Sequence, residues 1–202
     1  YFLRGDMEIV DYIIAPKIAG SGMNHAAIRE ADYIMPAGER VHIRPLEKDD
    51  LPGLEWDGEY AHFRKLYHQH YENSLGGNTL IWVAVNADAE VIGQVFLLLL
   101  SRQRELADGV FQAYLFSFRI KPAYRDQGLG GFMLEMVEGF LRDRGFRFLR
   151  LNVARANPLA RRMYEKHGYR MIGPDPGVWR YQDQNDEWQT CREPAWKMIK
   201  KL

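Results

Sequence analysis

Phe118-Arg119-Ile120-Lys121-Pro122-Ala123-Tyr124-Arg125-Asp126-Gln127-Gly128-Leu129-Gly130-Gly131 is the stretch on which the fold turns. The residues leading into it, Phe111–Ile120, are aromatic and apolar and read as a long strand. On its far side, Leu129–Arg144 repeats apolar side chains at i, i+3 and i+4 (Leu129, Phe132, Met133, Met136, Val137, Phe140), the period of an amphipathic helix. A strand therefore enters a turn and a helix starts at once. The first amides of a helix have no partner within it and attract anions. Gly128, Gly130 and Gly131 remove side chains that would hold a phosphate away. The segment is suited to a pyrophosphate.

Two phosphate-binding patterns fit poorly. A Walker loop needs Lys and then Ser or Thr after its last glycine, and here Gly130 precedes Gly131-Phe132. A dinucleotide fingerprint needs a third Gly or Ala where Met133 stands.

Outward from this loop, Val41–Arg44, Leu80–Val85, Val91–Leu99, Phe148–Val153, Tyr169–Ile172 and Ala195–Ile199 read as further strands. Asn86-Ala87-Asp88-Ala89-Glu90 is a turn of hairpin length. Helices are expected over Tyr60–Tyr71 and from Asn157-Pro158, where Asn caps and Pro opens the first turn, to Gly168. A short helix is expected around Ala26–Tyr33, and a loop holding two prolines and two glycines after Ile172. The order implies an α+β mix around a mainly antiparallel sheet.

The loop Arg125-x-x-Gly128-x-Gly130 after x-Pro-x-Tyr-Arg resembles the acetyl-CoA loop of the GNAT superfamily (GCN5-related N-acetyltransferases). A second segment, Asn157-Pro158-x-Ala160-x-x-x-Tyr164-Glu165-Lys166-x-Gly168-Tyr169, resembles the same family's later motif. The resemblance covers about residues 41–202, taken as an acetyltransferase domain, with residues 1–40 as an N-terminal extension outside it. It implies a six- to seven-stranded mixed sheet flanked by helices and splayed between Phe111–Ile120 and Phe148–Val153.

The resemblance also implies acyl transfer from acetyl-CoA to a primary amine by direct attack. The cofactor-binding residues carried over are Phe118, Ile120, Arg125, Asp126, Gln127, Gly128, Leu129, Gly130, Gly131, Asn157, Ala160 and Tyr164. The Phe118 N–H would face the acyl carbonyl, Ile120 would pair with the pantetheine amides, and Tyr164 would be the acid for the departing thiolate. Asn157, Ala160 and Tyr164 fall on one helix face. Some relatives place a glutamate on the strand corresponding to Phe111–Ile120, and this strand has no carboxylate. The base is therefore sought among Glu59, His62, Tyr114 and Ser117, with Glu59 placed in the catalytic set. Arg119, Lys121, Arg161 and Arg162 join Arg125 as groups able to meet phosphates. Trp56–Tyr60 and Trp179–Tyr181 are expected on the acceptor side. The alternative is a silent CoA-binding sensor or scaffold, favoured by the missing carboxylate. A weaker alternative is a nucleotide binder that does not take CoA.

The chain has 202 residues, room for one domain with an extension. Lys plus Arg equals Asp plus Glu at 27 each, which gives no reason to expect nucleic acid or an anionic membrane as partner. The partner expected is a small-molecule or protein amine, and a homodimer is among the expectations because many relatives dimerise. A single cysteine, Cys191, excludes an intrachain disulfide and suits a reducing, cytoplasmic setting. Tyr1–Asp6 lacks a secretory pattern, and Met7 is read as the natural start. His68 and His70, two apart, point to different helix faces, so no metal is expected.

Overall fold

A computed structural model describes residues 29–202. Among the described residues the main sheet has eight strands: β1 (Ala31–Ile34), β2 (Arg40–Pro45), β3 (Thr79–Val85), β4 (Val91–Leu98), β5 (Gln112–Ile120), β6 (Phe148–Ala154), β7 (Arg170–Asp175) and β10 (Ala195–Lys201). They run β1-β2-β3-β4-β5-β6-β10-β7 across the sheet. Only β5 and β6 are parallel neighbours; the other pairs are antiparallel. The strand β1 raises the count above the six or seven expected. It includes Tyr33, which the sequence placed in a helix; residues 26–28 of that helix lie outside the described residues.

Among the described residues three α-helices flank the sheet: α1 (Arg64–Leu75), α2 (Leu129–Asp143) and α3 (Pro158–Lys166). The helix expected at Tyr60–Tyr71 begins as a 3-10 turn, Ala61–Phe63, and continues as α1. A longer 3-10 segment, Lys48–Glu55, precedes it, and Pro122–Tyr124 forms another. The loop expected after Ile172 yields Gly173-Pro174-Asp175 to β7, and the rest contains a hairpin that the sequence did not reveal, β8 (Val178–Gln182) with β9 (Trp188–Arg192).

Every residue of β3 and β4 is buried, because both faces of the sheet centre are covered. On one face α2 and α3 pack their apolar stripes (Leu129, Met133, Val137, Phe140, Tyr164) on Leu115, Leu151 and Val153. On the other, α1, the Lys48–Glu55 segment and the β8–β9 hairpin cover Phe96, Tyr114 and Phe116. Burial of such side chains contributes about 1.5–3 kcal/mol each.

Two irregularities in β5 bend it away from its neighbours. Opposite β4, the partners shift from Gln94↔Arg119 to Phe96↔Phe116, so β5 has one extra residue, a bulge. Ser117 lies there in left-handed conformation at φ 48°. Opposite β6, pairing runs only from Gln112↔Phe148 to Leu115↔Leu151. Beyond that point β5 continues to Ile120 and β6 to Ala154 with no ladder between them.

Candidate active site

The parting of β5 and β6 leaves five residues of β5, Phe116–Ile120, without β6 partners. Right-handed twist fans neighbouring strands apart, and the bulge at Ser117 sharpens the bend. A gap therefore opens in the sheet, with edge amides and carbonyls on both sides.

The turn from β5 into α2 closes one end of that gap. Asp126 and Gly128 both have positive φ, 58° and 87°. No side chain caps α2, and no acidic residue occupies its first turn. The first amides of a 15-residue helix are thus left for another acceptor. The turn is held from three directions. The Tyr33 hydroxyl on β1 donates to the Gln127 carbonyl at 2.8 Å. Gln127 Nε2 donates to the Ala123 carbonyl at 2.9 Å. Arg125 Nε donates to the Ile120 carbonyl at 2.7 Å, so two expected cofactor residues are bonded to each other. A carbonyl oxygen has a second lone pair, which leaves Ile120 able to accept again.

The expected residues converge around Gly130. A Cβ there would lie 3.3 Å from Ile120 Cδ1, 3.5 Å from Met163 Sδ and 4.0 Å from Phe118 Cζ. The end of β5, the start of α2 and the face of α3 therefore meet at one point. Gly131 faces another way: a Cβ there would come within 3.0 Å of His167 Nε2, so its missing side chain makes room for the imidazole.

On α3, Asn157 Oδ1 accepts from the Ala160 amide at 3.0 Å, capping the helix. Tyr164 is buried (6% exposed), with its ring edge-on to Tyr169 at 5.5 Å. Burial alone pushes its phenol above the ordinary value of about 10. Among the described residues nothing hydrogen-bonds its hydroxyl, which is left to meet solvent or a ligand.

Other expected groups fall elsewhere. Arg119 turns to the opposite face, where it donates to the Tyr67 hydroxyl at 2.7 Å and lies over the Tyr60 ring at 4.0 Å. Lys121 is paired with Glu90, and Arg161 with Glu165. Glu59 is exposed on the turn before Ala61–Phe63, where its carboxylate raises the Tyr60 phenol, itself raised first by burial. Burial and then the Arg119 charge lower the His62 imidazole below its usual value. Ser117 is buried and bonded to Gln94 Nε2 at 3.2 Å. The two aromatic segments expected on the acceptor side are bridged by Phe63, whose ring lies 6.3 Å from Tyr60, 4.9 Å from Tyr181 and 5.8 Å from Trp179.

Sequence reasoning missed Tyr33, which it had assigned to a helix in the extension. It also missed Arg150, Asn152 and Asp175. Arg150 and Asn152 alternate with Leu149, Leu151 and Val153, so period-two reading places them on the face away from α2 and α3. They line a cavity of about 220 Å³ with Asp175 and Tyr114.

Residues 40–169 match the profile of the Acetyltransferase (GNAT) family. The chain belongs to that family. The GNAT chain is therefore an acetyltransferase, as its two motifs implied. No curated protein matches the sequence significantly. Solved structures do resemble it. The ribosomal-protein-S18-alanine N-acetyltransferase from Escherichia coli aligns with TM-score 0.60 and 22% identity, over 80% of this chain and 94% of that one. Arabidopsis thaliana NAA60 in complex with acetyl-CoA aligns with TM-score 0.60 and 17% identity, over 80% and 98%. Spermidine/spermine N-acetyltransferase SpeG from Vibrio cholerae aligns with TM-score 0.58 and 18% identity, over 80% and 92%. At these identities the likeness is one of fold. Among the described residues, no helix is long and apolar enough to cross a membrane, and no group of three or more His, Cys, Asp or Glu side chains is placed to hold a metal.

Proposed function

We infer that this GNAT chain transfers the acetyl group of acetyl-CoA to a primary amine by direct attack. The observation that carries the reading is the gap between β5 and β6, which opens after Leu115 and Leu151 and has the uncapped start of α2 at its edge. A pantetheine arm is a chain of amides and can take the place of the missing ladder. The residues Arg125–Gly131 would then lie against the pyrophosphate.

Acetyl-CoA supplies the activated thioester. The Phe118 N–H, next to the bulge, is the donor assigned to the acyl oxygen, where it would stabilise developing negative charge. Tyr164 stays protonated at neutral pH because burial raises it. A thiol titrates at about 8.5, so full proton transfer from the phenol to a thiolate runs uphill in water. Its hydroxyl therefore acts chiefly as a hydrogen-bond donor to the leaving sulfur. Asn157 retains its amide N–H groups for the arm once its oxygen caps α3. The amine proton leaves through the turn carrying Glu59 and His62, the acid–base groups on the opposite face; His62 is neutral at pH 7 because its value is lowered. Cytoplasmic residence and the N-terminal extension ending near residue 40 complete the proposal.

The test is thiol release from acetyl-CoA with a panel of amines. Turnover that depends on the amine supports the transferase. Acetyl-CoA binding with no thiol release from any amine would instead identify the silent sensor, which lacks this chemistry.

A further inference from the structure

The face of the sheet turned away from α2 and α3 bears the cavity of about 220 Å³, below the ~300–1,000 Å³ usual for drug-sized ligands. Its floor lies where β5 and β6 part. Tyr114 pairs with Arg150, Leu115 with Leu151, and Asn152 is the first β6 residue without a β5 partner. Lys197 stands directly across from Asn152 on β10. Because α2 and α3 cover the other face, an acceptor reaches the gap from this one.

The charges of the cavity wall are unequally satisfied. Asp175 is buried; its Oδ1 accepts from the Gly177 amide at 2.8 Å, and its Oδ2 lies 3.7 Å from Lys197 Nζ. These two neutralise each other. Arg150 uses only Nε, which donates to Gln112 Oε1 at 2.7 Å. Among the described residues no group accepts from its other two nitrogens. Burial lowers its affinity for a proton, and Glu105, an exposed residue that also lines the cavity, offsets this without forming an ion pair with it. A half-buried guanidinium with an open fork is matched in geometry to a carboxylate.

We propose that the acceptor is a compact amine bearing its own carboxylate, an amino acid or a molecule of that shape, whose carboxylate is held by Arg150 and whose amine reaches the β5–β6 gap beside Asn152. This rests on the acetyltransferase reading above. A polyamine offers no carboxylate to the Arg150 fork and brings further positive charge against it, and is disfavoured. In the reaction the amine nitrogen bonds to the thioester carbonyl carbon and the carbon–sulfur bond breaks. The proton lost by the amine balances the one gained by the departing thiolate.

The experiment compares kcat/KM of the full chain for amino acids, the matching carboxamides and spermidine, beside an acetyl-CoA titration. Wild type should prefer carboxylate to carboxamide by ~10- to 100-fold, the effect of one charge-assisted pair. Arg150→Met should collapse that ratio to within about threefold while acetyl-CoA affinity stays unchanged. Equal or better turnover of carboxamide or spermidine by wild type overturns the inference, as does a preference that survives in Arg150→Met. Should Arg150→Met fail to fold, the wild-type ratio decides alone. Acetyl-CoA binding without carboxylate preference sinks this inference only; no acetyl-CoA binding sinks the acetyltransferase reading with it.

Discussion

Gly128→Ala probes the link between β1 and the turn before α2 in one measurable quantity. At φ 87° an alanine costs about 1–2 kcal/mol, the penalty of left-handed backbone for an L-residue. The new Cβ would also lie 2.3 Å from the Tyr33 hydroxyl oxygen, well inside contact distance. Tyr33 is held by its bond to the Gln127 carbonyl and by Phe132, whose ring centroid is 5.0 Å from its own. Relief of the clash breaks that bond, at about 1 kcal/mol. The single substitution should therefore cost about 2–3 kcal/mol, or a melting temperature lower by roughly 4–12 °C for a chain of this size. Tyr33→Phe alone removes the same hydrogen bond and should cost about 1 kcal/mol. In the double variant the bond is lost once and the clashing oxygen is gone. Its cost should fall about 1 kcal/mol short of the sum of the singles. Urea unfolding of the four proteins gives this coupling, and acetyl-CoA titration of each should show weakened binding in both Gly128→Ala proteins. Strict additivity would mean that β1 does not brace the loop, and unchanged affinity would mean that the loop does not hold the cofactor.

Tyr164→Phe should lower kcat by roughly 10- to 100-fold with little change in acetyl-CoA affinity, measured by steady-state kinetics and calorimetry; equal activity would remove its role toward the leaving thiolate. Glu59→Gln and His62→Gln should differ in the pH profile of kcat/KM: loss of the acidic limb in one identifies the proton acceptor, and two unchanged profiles would place it elsewhere. Burial pushes His70 down to about 3, so the unfolded chain binds the extra proton between that value and about 6.5. Stability from this group is complete above about pH 6.5 and falls as pH drops, by about 2 kcal/mol at pH 5. His70→Leu should narrow the difference between unfolding at pH 7 and pH 5, and an unchanged difference would contradict the burial.

Much of the fold was legible because its signals are local. The helix period of Leu129–Arg144, the Asn157-Pro158 start and the alternation in Phe148–Val153 each set their element within a residue or two. The convergence of Phe118, Ile120 and Gly130 followed from chain order, since a strand, a turn and a helix start must meet. The features that escaped were decided at a distance. Ala31–Ile34 is four residues long with weak alternation, and becomes a strand because β2 offers it an edge. The β8–β9 hairpin hides in a polar, Pro- and Gly-marked stretch and is held by Trp179 and Tyr181 against Phe63. Arg119 reads as a phosphate ligand by proximity to the loop, yet the bulge and strand alternation turn it to the other face, onto Tyr67. The acceptor cavity draws on β5, β6, β7 and β10, which no local window contains.

Amide hydrogen exchange of the full chain with and without acetyl-CoA tests the central claim most directly. Slowed exchange confined to residues 116–120, 126–132 and 152–164 is the result expected if the arm fills the β5–β6 gap and the phosphates sit on the first turn of α2. Unchanged exchange in those segments at saturating acetyl-CoA, or protection confined to β1–β3, would contradict it.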